Sequence, residues 1–279
     1  MDLATFEKII PQIKYLTETV CLHLMGEPLS HPQFAEIVSE CEKHQLKIFL
    51  VTNGTLINEK NNDVLLRPAY RQINFSLHSF PDNFPKANPE TYLNKIFQLS
   101  EQIQNQQPQT YINYRLWNLQ NTQQSQNQFE NKNQQMFEIV LSQIEKWQNQ
   151  FGLSNGNEPQ RIRQLVNEIN IKKQKSICLW KKIYLHLDTE FIWPNLNLPF
   201  LGDQGTCYGL ETHFGILADG TVVPCCLDKE GVIQLGNIHQ QTVAEILESD
   251  LAQKTISGFK QNKLIDPLCQ RCQYIKRFQ

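Results

Sequence analysis

The chain has 279 residues, enough for one large or two smaller domains with a sizeable core. Its net charge of −2 and 40% apolar content exclude a nucleic-acid or membrane-surface footprint and a disordered chain. No apolar run approaches the roughly 20 residues of a membrane-spanning helix, and MDLATFEKIIPQIK lacks the pattern of a secretory signal, so a cytoplasmic, reducing setting is expected.

In chain order, ATFEKIIPQIKYL reads as a helix. VCLHLM (20–25) is a short apolar strand that stops at Gly26-Glu27-Pro28, and FAEIVSECEKH (34–44) has helical spacing. KIFLVTNG (47–54) is the next strand and ends in Asn53-Gly54. INFSLHS (73–79) is another, followed by helical YLNKIFQLSEQI (92–103). TYINYRLWNL (110–119) alternates and is aromatic and β-branched, as strands prefer. The Gln- and Asn-rich stretch 120–135 reads as a solvated loop or helix start, and MFEIVLSQIEKW (136–147) as an amphipathic helix. Residues 148–180 are polar and show no clear period, and KIYLHLDTEFIW (182–193) reads as a final strand. Repeated strand–helix units imply parallel strands with right-handed crossovers, hence an α/β sheet or barrel. The polar groups at Gly26-Glu27, Asn53-Gly54, Ser76–Ser79 and Arg115–Asn118 then fall at or near the C-terminal strand ends, where such folds place their chemistry.

The eight cysteines divide into two sets. Cys21, Cys41 and Cys178 each stand in an apolar run and read as small core residues. Cys207, Cys225, Cys226, Cys269 and Cys272 crowd the last quarter, which marks a second unit from about residue 196. In a reducing compartment such a set is expected to be thiols or metal ligands rather than disulfides. FGILADGTVVPC reads as a hairpin around Ala-Asp-Gly, a turn that brings Cys207 towards Cys225. Cys225 and Cys226 are adjacent, so only one of them is expected to face a shared site. With the Cys269-x-x-Cys272 pair, four thiolates make a site for Zn²⁺ or for an iron–sulfur cluster, and spacing leaves the two open.

GEPLSHP after one strand, TNGTLI after the next, then NFSLHS and NYRLWN, resemble the radical SAM enzymes. The tail, C-x12-G-x4-C followed by C-x2-C, with PCCLD and LGNI, resembles their SPASM/twitch extension. The resemblance implies an incomplete (β/α)6-type partial barrel over residues 1–195 and a small cluster-binding domain over 196–279. It implies one auxiliary [4Fe-4S] cluster on Cys207, Cys225, Cys269 and Cys272. It also implies a site for S-adenosylmethionine (SAM), in which Gly26 and Glu27 meet the amino group and Ser76 and Arg115 contact the ribose and carboxylate. Pro28 and Asn53 are counted among the same cofactor-binding positions.

In the family a second [4Fe-4S] cluster, on a CxxxCxxC loop and fed by a reducing electron donor, cleaves SAM to a 5′-deoxyadenosyl radical. These 279 residues contain no CxxxCxxC. One reading is an N-terminally truncated chain whose complete form is an oxidoreductase or maturase acting on a peptide, a protein or a small molecule. The other is a non-catalytic iron–sulfur or zinc-binding protein for interaction or electron relay. In both, the chain as given is expected not to cleave SAM.

Overall fold

The computed structural model describes residues 1–121, 127–151, 158–190 and 192–277. Helix α1 (Leu3–Ile13) is started by Asp2, whose carboxylate accepts from the Thr5 N–H at 2.7 Å. Its buried residues Phe6, Ile9, Ile10 and Ile13 recur at helical spacing. The short strand β1 (Thr19–Cys21) follows, and then α2 (Phe34–Lys43), which buries Phe34, Ile37, Val38 and Cys41. Next come β2 (Lys47–Thr52), α3 (Glu59–Leu65), β3 (Tyr70–Phe75), the single turn α4 (Phe80–Asn83) and the long α5 (Pro89–Gln106). Strand β4 (Tyr111–Leu116) precedes a small hairpin of β5 (Leu119–Asn121) and β6 (Asn127–Phe129). Helices α6 (Asn131–Phe151) and α7 (Pro159–Glu168) lead into β7 (Ser176–Trp180) and β8 (Ile183–Leu187).

The main sheet has the order β1-β2-β3-β4-β8-β7. The first five strands in that order run parallel, and β7 pairs antiparallel with β8. The fold is therefore the expected α/β partial barrel, with one departure: an antiparallel strand closes one edge. Neither the small hairpin nor β7 is visible in the sequence pattern. Alternation along the strands separates two faces. Ile48, Leu50 and Thr52 of β2, and Ile112, Tyr114 and Leu116 of β4, are buried among the helices. The opposite face carries Phe49, Val51, Asn113 and Arg115 and is partly polar. There Asn74, fully buried, accepts from Gln72 at 2.8 Å and from Asn113 at 3.0 Å, and donates to the Leu50 carbonyl at 2.9 Å.

The three isolated cysteines do not behave alike. Cys41 is buried, as expected, but Cys21 is exposed and Cys178 is half-buried. A strand in this sheet has one face against helices and one against a cavity, so an apolar run does not mean burial on both sides.

The tail forms a three-stranded sheet of β9 (Gly215–Ile216), β10 (Thr221–Val223) and β11 (Gly236–Asn237), followed by α8 (Val243–Leu247) and α9 (Asp250–Lys260). The expected hairpin is present: Val222 pairs with Ile216, and Gly220 takes the left-handed conformation at φ +86° that the turn demands. A capping box between Thr242 and Glu245 starts α8. Val222, Leu235, Val243, Ile246 and Leu268 of the tail belong to the same continuous apolar core as the barrel helices. The Gln12 side chain of α1 accepts from the Val243 N–H at 2.8 Å, so a barrel helix caps a tail helix. Among the described residues no helix is long and apolar enough to cross a membrane.

Candidate functional site

A cavity of about 450 Å³ opens between the C-terminal strand ends and the tail. Gly26, Glu27, Asn53, Ser76 and Arg115 line one side of it, and Cys207, Cys225, Cys269 and Cys272 line the other. Of the residues singled out in the sequence, Pro28 stands apart: it begins a single 3-10 turn (Pro28–Ser30) behind Glu27.

Glu27 is held from several directions. Its Oε1 accepts from the Thr52 hydroxyl at 2.6 Å and from the Leu29 N–H at 3.1 Å. Its Oε2 accepts from the Asn53 N–H at 2.7 Å. The carboxylate thus joins the loop after β1 to the end of β2. Gly26, immediately before it, has φ +97°, a left-handed conformation that favours glycine. Asn53 is fixed in turn: its side-chain oxygen accepts from the Thr55 N–H at 2.9 Å and hydroxyl at 2.6 Å, and its carbonyl accepts from the Tyr92 hydroxyl at 2.6 Å. Tyr92 stacks on Phe80 with centroids 3.9 Å apart. The sequence signals the Gly-Glu-Pro and Thr-Asn-Gly segments; the contribution of Tyr92 depends on tertiary packing and leaves no local trace.

Arg115 lies between two rings, 4.6 Å from the Trp117 centroid and 5.8 Å from that of Phe49. Its buried Nε has no hydrogen-bond partner, and among the described residues it makes no ion pair. Burial lowers its pKa to about 10, partly offset by Cys21, so the guanidinium is charged at neutral pH. A stacked guanidinium with unused N–H groups is a receptor for a planar anion such as a carboxylate.

Three imidazoles that the sequence reading passed over also line the cavity, His23, His78 and His213. Burial first, and then Arg115, lower the His23 pKa to about 4, and its Nδ1 is buried without a partner. His78 stacks on Trp117 at 5.9 Å, and its Nδ1 lies 3.1 Å from the Arg115 carbonyl. A carbonyl only accepts, so Nδ1 carries the proton and Nε2 is the acceptor. His23 could have been suspected as the one polar residue within VCLHLM.

On the tail side, Gly209 sits between two thiols. A Cβ placed on it would lie 3.7 Å from the Cys207 sulfur, 3.6 Å from the Cys225 Cβ and 3.0 Å from the Pro224 carbonyl. The Gly209 N–H donates to the Cys207 sulfur at 3.4 Å. Burial raises the pKa of all four thiols and takes Cys225 up to about 12; backbone amides oppose it at Cys207, Cys225 and Cys272. Such thiols become thiolates when a metal centre supplies positive charge. Among the described residues no three His, Cys, Asp or Glu side chains converge as a single ion requires. The four thiols line one side of the cavity together, a donor set that fits a cluster held by four thiolates. Cys226 also lines the cavity, so adjacency to Cys225 does not turn it away, but it is exposed where Cys225 is half-buried.

Residues 1–115 match the family model of the radical SAM superfamily, and residues 207–273 match that of SPASM, an iron–sulfur cluster-binding domain. No curated protein matches the sequence significantly. Among solved structures the chain is similar to BtrN in complex with AdoMet and 2-DOIA, at 14% identity and a TM-score of 0.55, over 98% of this chain and 80% of that one. It is also similar to SuiB of Streptococcus suis bound to the precursor peptide SuiA, at 16% identity and a TM-score of 0.53, over 98% of this chain and 65% of that one. At these identities the likeness establishes the fold.

Proposed function

The chain belongs to the radical SAM superfamily and carries a C-terminal iron–sulfur cluster-binding domain, and from that premise we propose that its cavity binds SAM on the barrel side and one [4Fe-4S] cluster on the tail side. One observation carries the reading: the positions that resemble SAM contacts and the four tail cysteines line the same cavity. Cys207, Cys225, Cys269 and Cys272 are the proposed cluster ligands. Glu27 and the backbone at Gly26 receive the SAM ammonium, Ser76 a ribose hydroxyl, and Arg115 the carboxylate. The proposed units are a barrel over residues 1–195 and a cluster domain over 196–279, joined through one core.

Bound SAM on a reduced second cluster supplies the family's 5′-deoxyadenosyl radical. These 279 residues contain no CxxxCxxC, and Cys21 on a strand and Cys41 in a helix cannot replace three loop ligands. A cluster in the tail would be held by Cys207, Cys225, Cys269 and Cys272, and four thiolate ligands would leave no open iron there. The chain as given therefore binds SAM weakly and does not cleave it. The proposed substrate of the family chemistry is a peptide, a reading supported by the similar SuiB, whose structure holds a precursor peptide.

Iron and labile-sulfide analysis of the anaerobically reconstituted chain, with chromatography of any 5′-deoxyadenosine, tests this reading. One cluster per chain is expected, lost on Cys225→Ser and kept on Cys226→Ala, with no 5′-deoxyadenosine. Multiple-turnover 5′-deoxyadenosine, abolished by Cys225→Ser, would instead make the tail cluster the catalytic one. A bound ion without sulfide would make the tail a zinc site.

A further inference from the structure

The proton arrangement around Glu27 restricts what its carboxylate can bind. Thr52 is buried, and its hydroxyl oxygen accepts from the Gly54 N–H at 3.0 Å. That contact occupies a lone pair and directs the one hydroxyl proton to Glu27 Oε1, 2.6 Å away. The Leu29 N–H, at 3.1 Å, takes the second acceptor position of the same oxygen. A carboxylate oxygen offers about two such positions, so Oε1 is filled. Oε2 accepts only the Asn53 N–H among the described residues, at 2.7 Å, and keeps one position on a residue that lines the cavity.

We infer that Thr52 is a positioning and specificity-determining residue: it commits one oxygen of Glu27 to the scaffold, so that the site takes a compact ammonium through a single oxygen and forgoes the two-oxygen pairing that a guanidinium prefers. This rests on the SAM-site reading above and adds the residue that sets the form of the contact. A fork-shaped guanidinium gains from two parallel N–H···O bonds, and here one of those acceptors is already used. Thr52 also lines the cavity, but its one hydroxyl proton is given to Glu27, so its role is exerted through Glu27.

The test is isothermal titration of the 279-residue chain with S-adenosylhomocysteine, which carries the ammonium and carboxylate, and with 5′-methylthioadenosine, which lacks both. The wild-type chain should prefer S-adenosylhomocysteine. Thr52→Val keeps the shape and removes the hydroxyl. It should weaken S-adenosylhomocysteine by about tenfold, the scale of one charge-assisted hydrogen bond, and leave 5′-methylthioadenosine unchanged. Thr52→Ser, which restores the hydroxyl, should recover binding.

If Thr52→Val binds S-adenosylhomocysteine as the wild type does, the inference fails and the site reading stands. The inference also fails if Thr52→Val loses both ligands together, because the role is then structural. If the wild type does not prefer S-adenosylhomocysteine over 5′-methylthioadenosine, Glu27 is not an ammonium receptor and both readings fall.

Discussion

His23 and His186 lie near Arg115 on the inner face of the barrel, and burial first, then Arg115, lower both of their pKa values to about 4. An unfolded histidine titrates near 6.5. Between those values the unfolded chain binds more protons than the folded one, so their contribution to stability is complete above pH 6.5 and is lost as pH falls towards 4. Each histidine accounts for about 1 to 3 kcal/mol over that interval, at about 1.4 kcal/mol per pH unit as an upper slope. His186→Gln should flatten the fall of the urea midpoint between pH 6.5 and 4, and a parallel fall in variant and wild type would show that other groups carry the acid sensitivity. The polar residues at strand ends were legible because a glycine, asparagine or arginine interrupting an apolar run is a local event. His23 was harder to see, and the partners of Glu27 harder still: Thr52 and Asn53 are 25 and 26 residues away, and only the parallel pairing of β1 with β2 brings them together.

Among the elements, the loop after Cys226 shows how the tail site is kept in shape. Asp228 is buried, and its two oxygens accept from the Val232 N–H at 2.8 Å and the Ile233 N–H at 2.7 Å. Asp228→Ala leaves both amides without that acceptor, at a cost of about 2 kcal/mol or more. It should lower Tm by several degrees and reduce cluster retention on gel filtration although Asp228 is no ligand; full iron content with unchanged Tm would show that the loop is set by other contacts. The parallel strands and the helices between them were readable because each carries its own period of 2 or 3.6. Strand β7 was not. It meets β8 through Lys181 and Lys182, with Lys181 at φ +45°, where a two-residue hairpin ordinarily advertises itself with glycine or asparagine. The hairpin of the tail, with Asp219-Gly220 at its turn, was readable for the opposite reason.

At the scale of the whole molecule, barrel and tail share one core, so they are expected to melt together. On heating the cluster-loaded chain, far-ultraviolet circular dichroism and the visible absorption of the cluster should change over the same interval. A visible transition well below the dichroism transition would make the tail a separate cooperative unit. What the sequence could not convey is how firmly the last quarter is seated on the first helix, since Gln12 and Val243 are 231 residues apart. That separation also bears on synthesis. A ribosome adding about 5 to 20 residues per second needs roughly 10 to 50 s between the two partners. During that interval the flank of α1 that later receives α8 has no cover, while the rest of the barrel is already able to form. The nascent chain therefore passes through a dated window in which an apolar helix is available to a chaperone, and the window closes only when the cysteine-rich tail arrives.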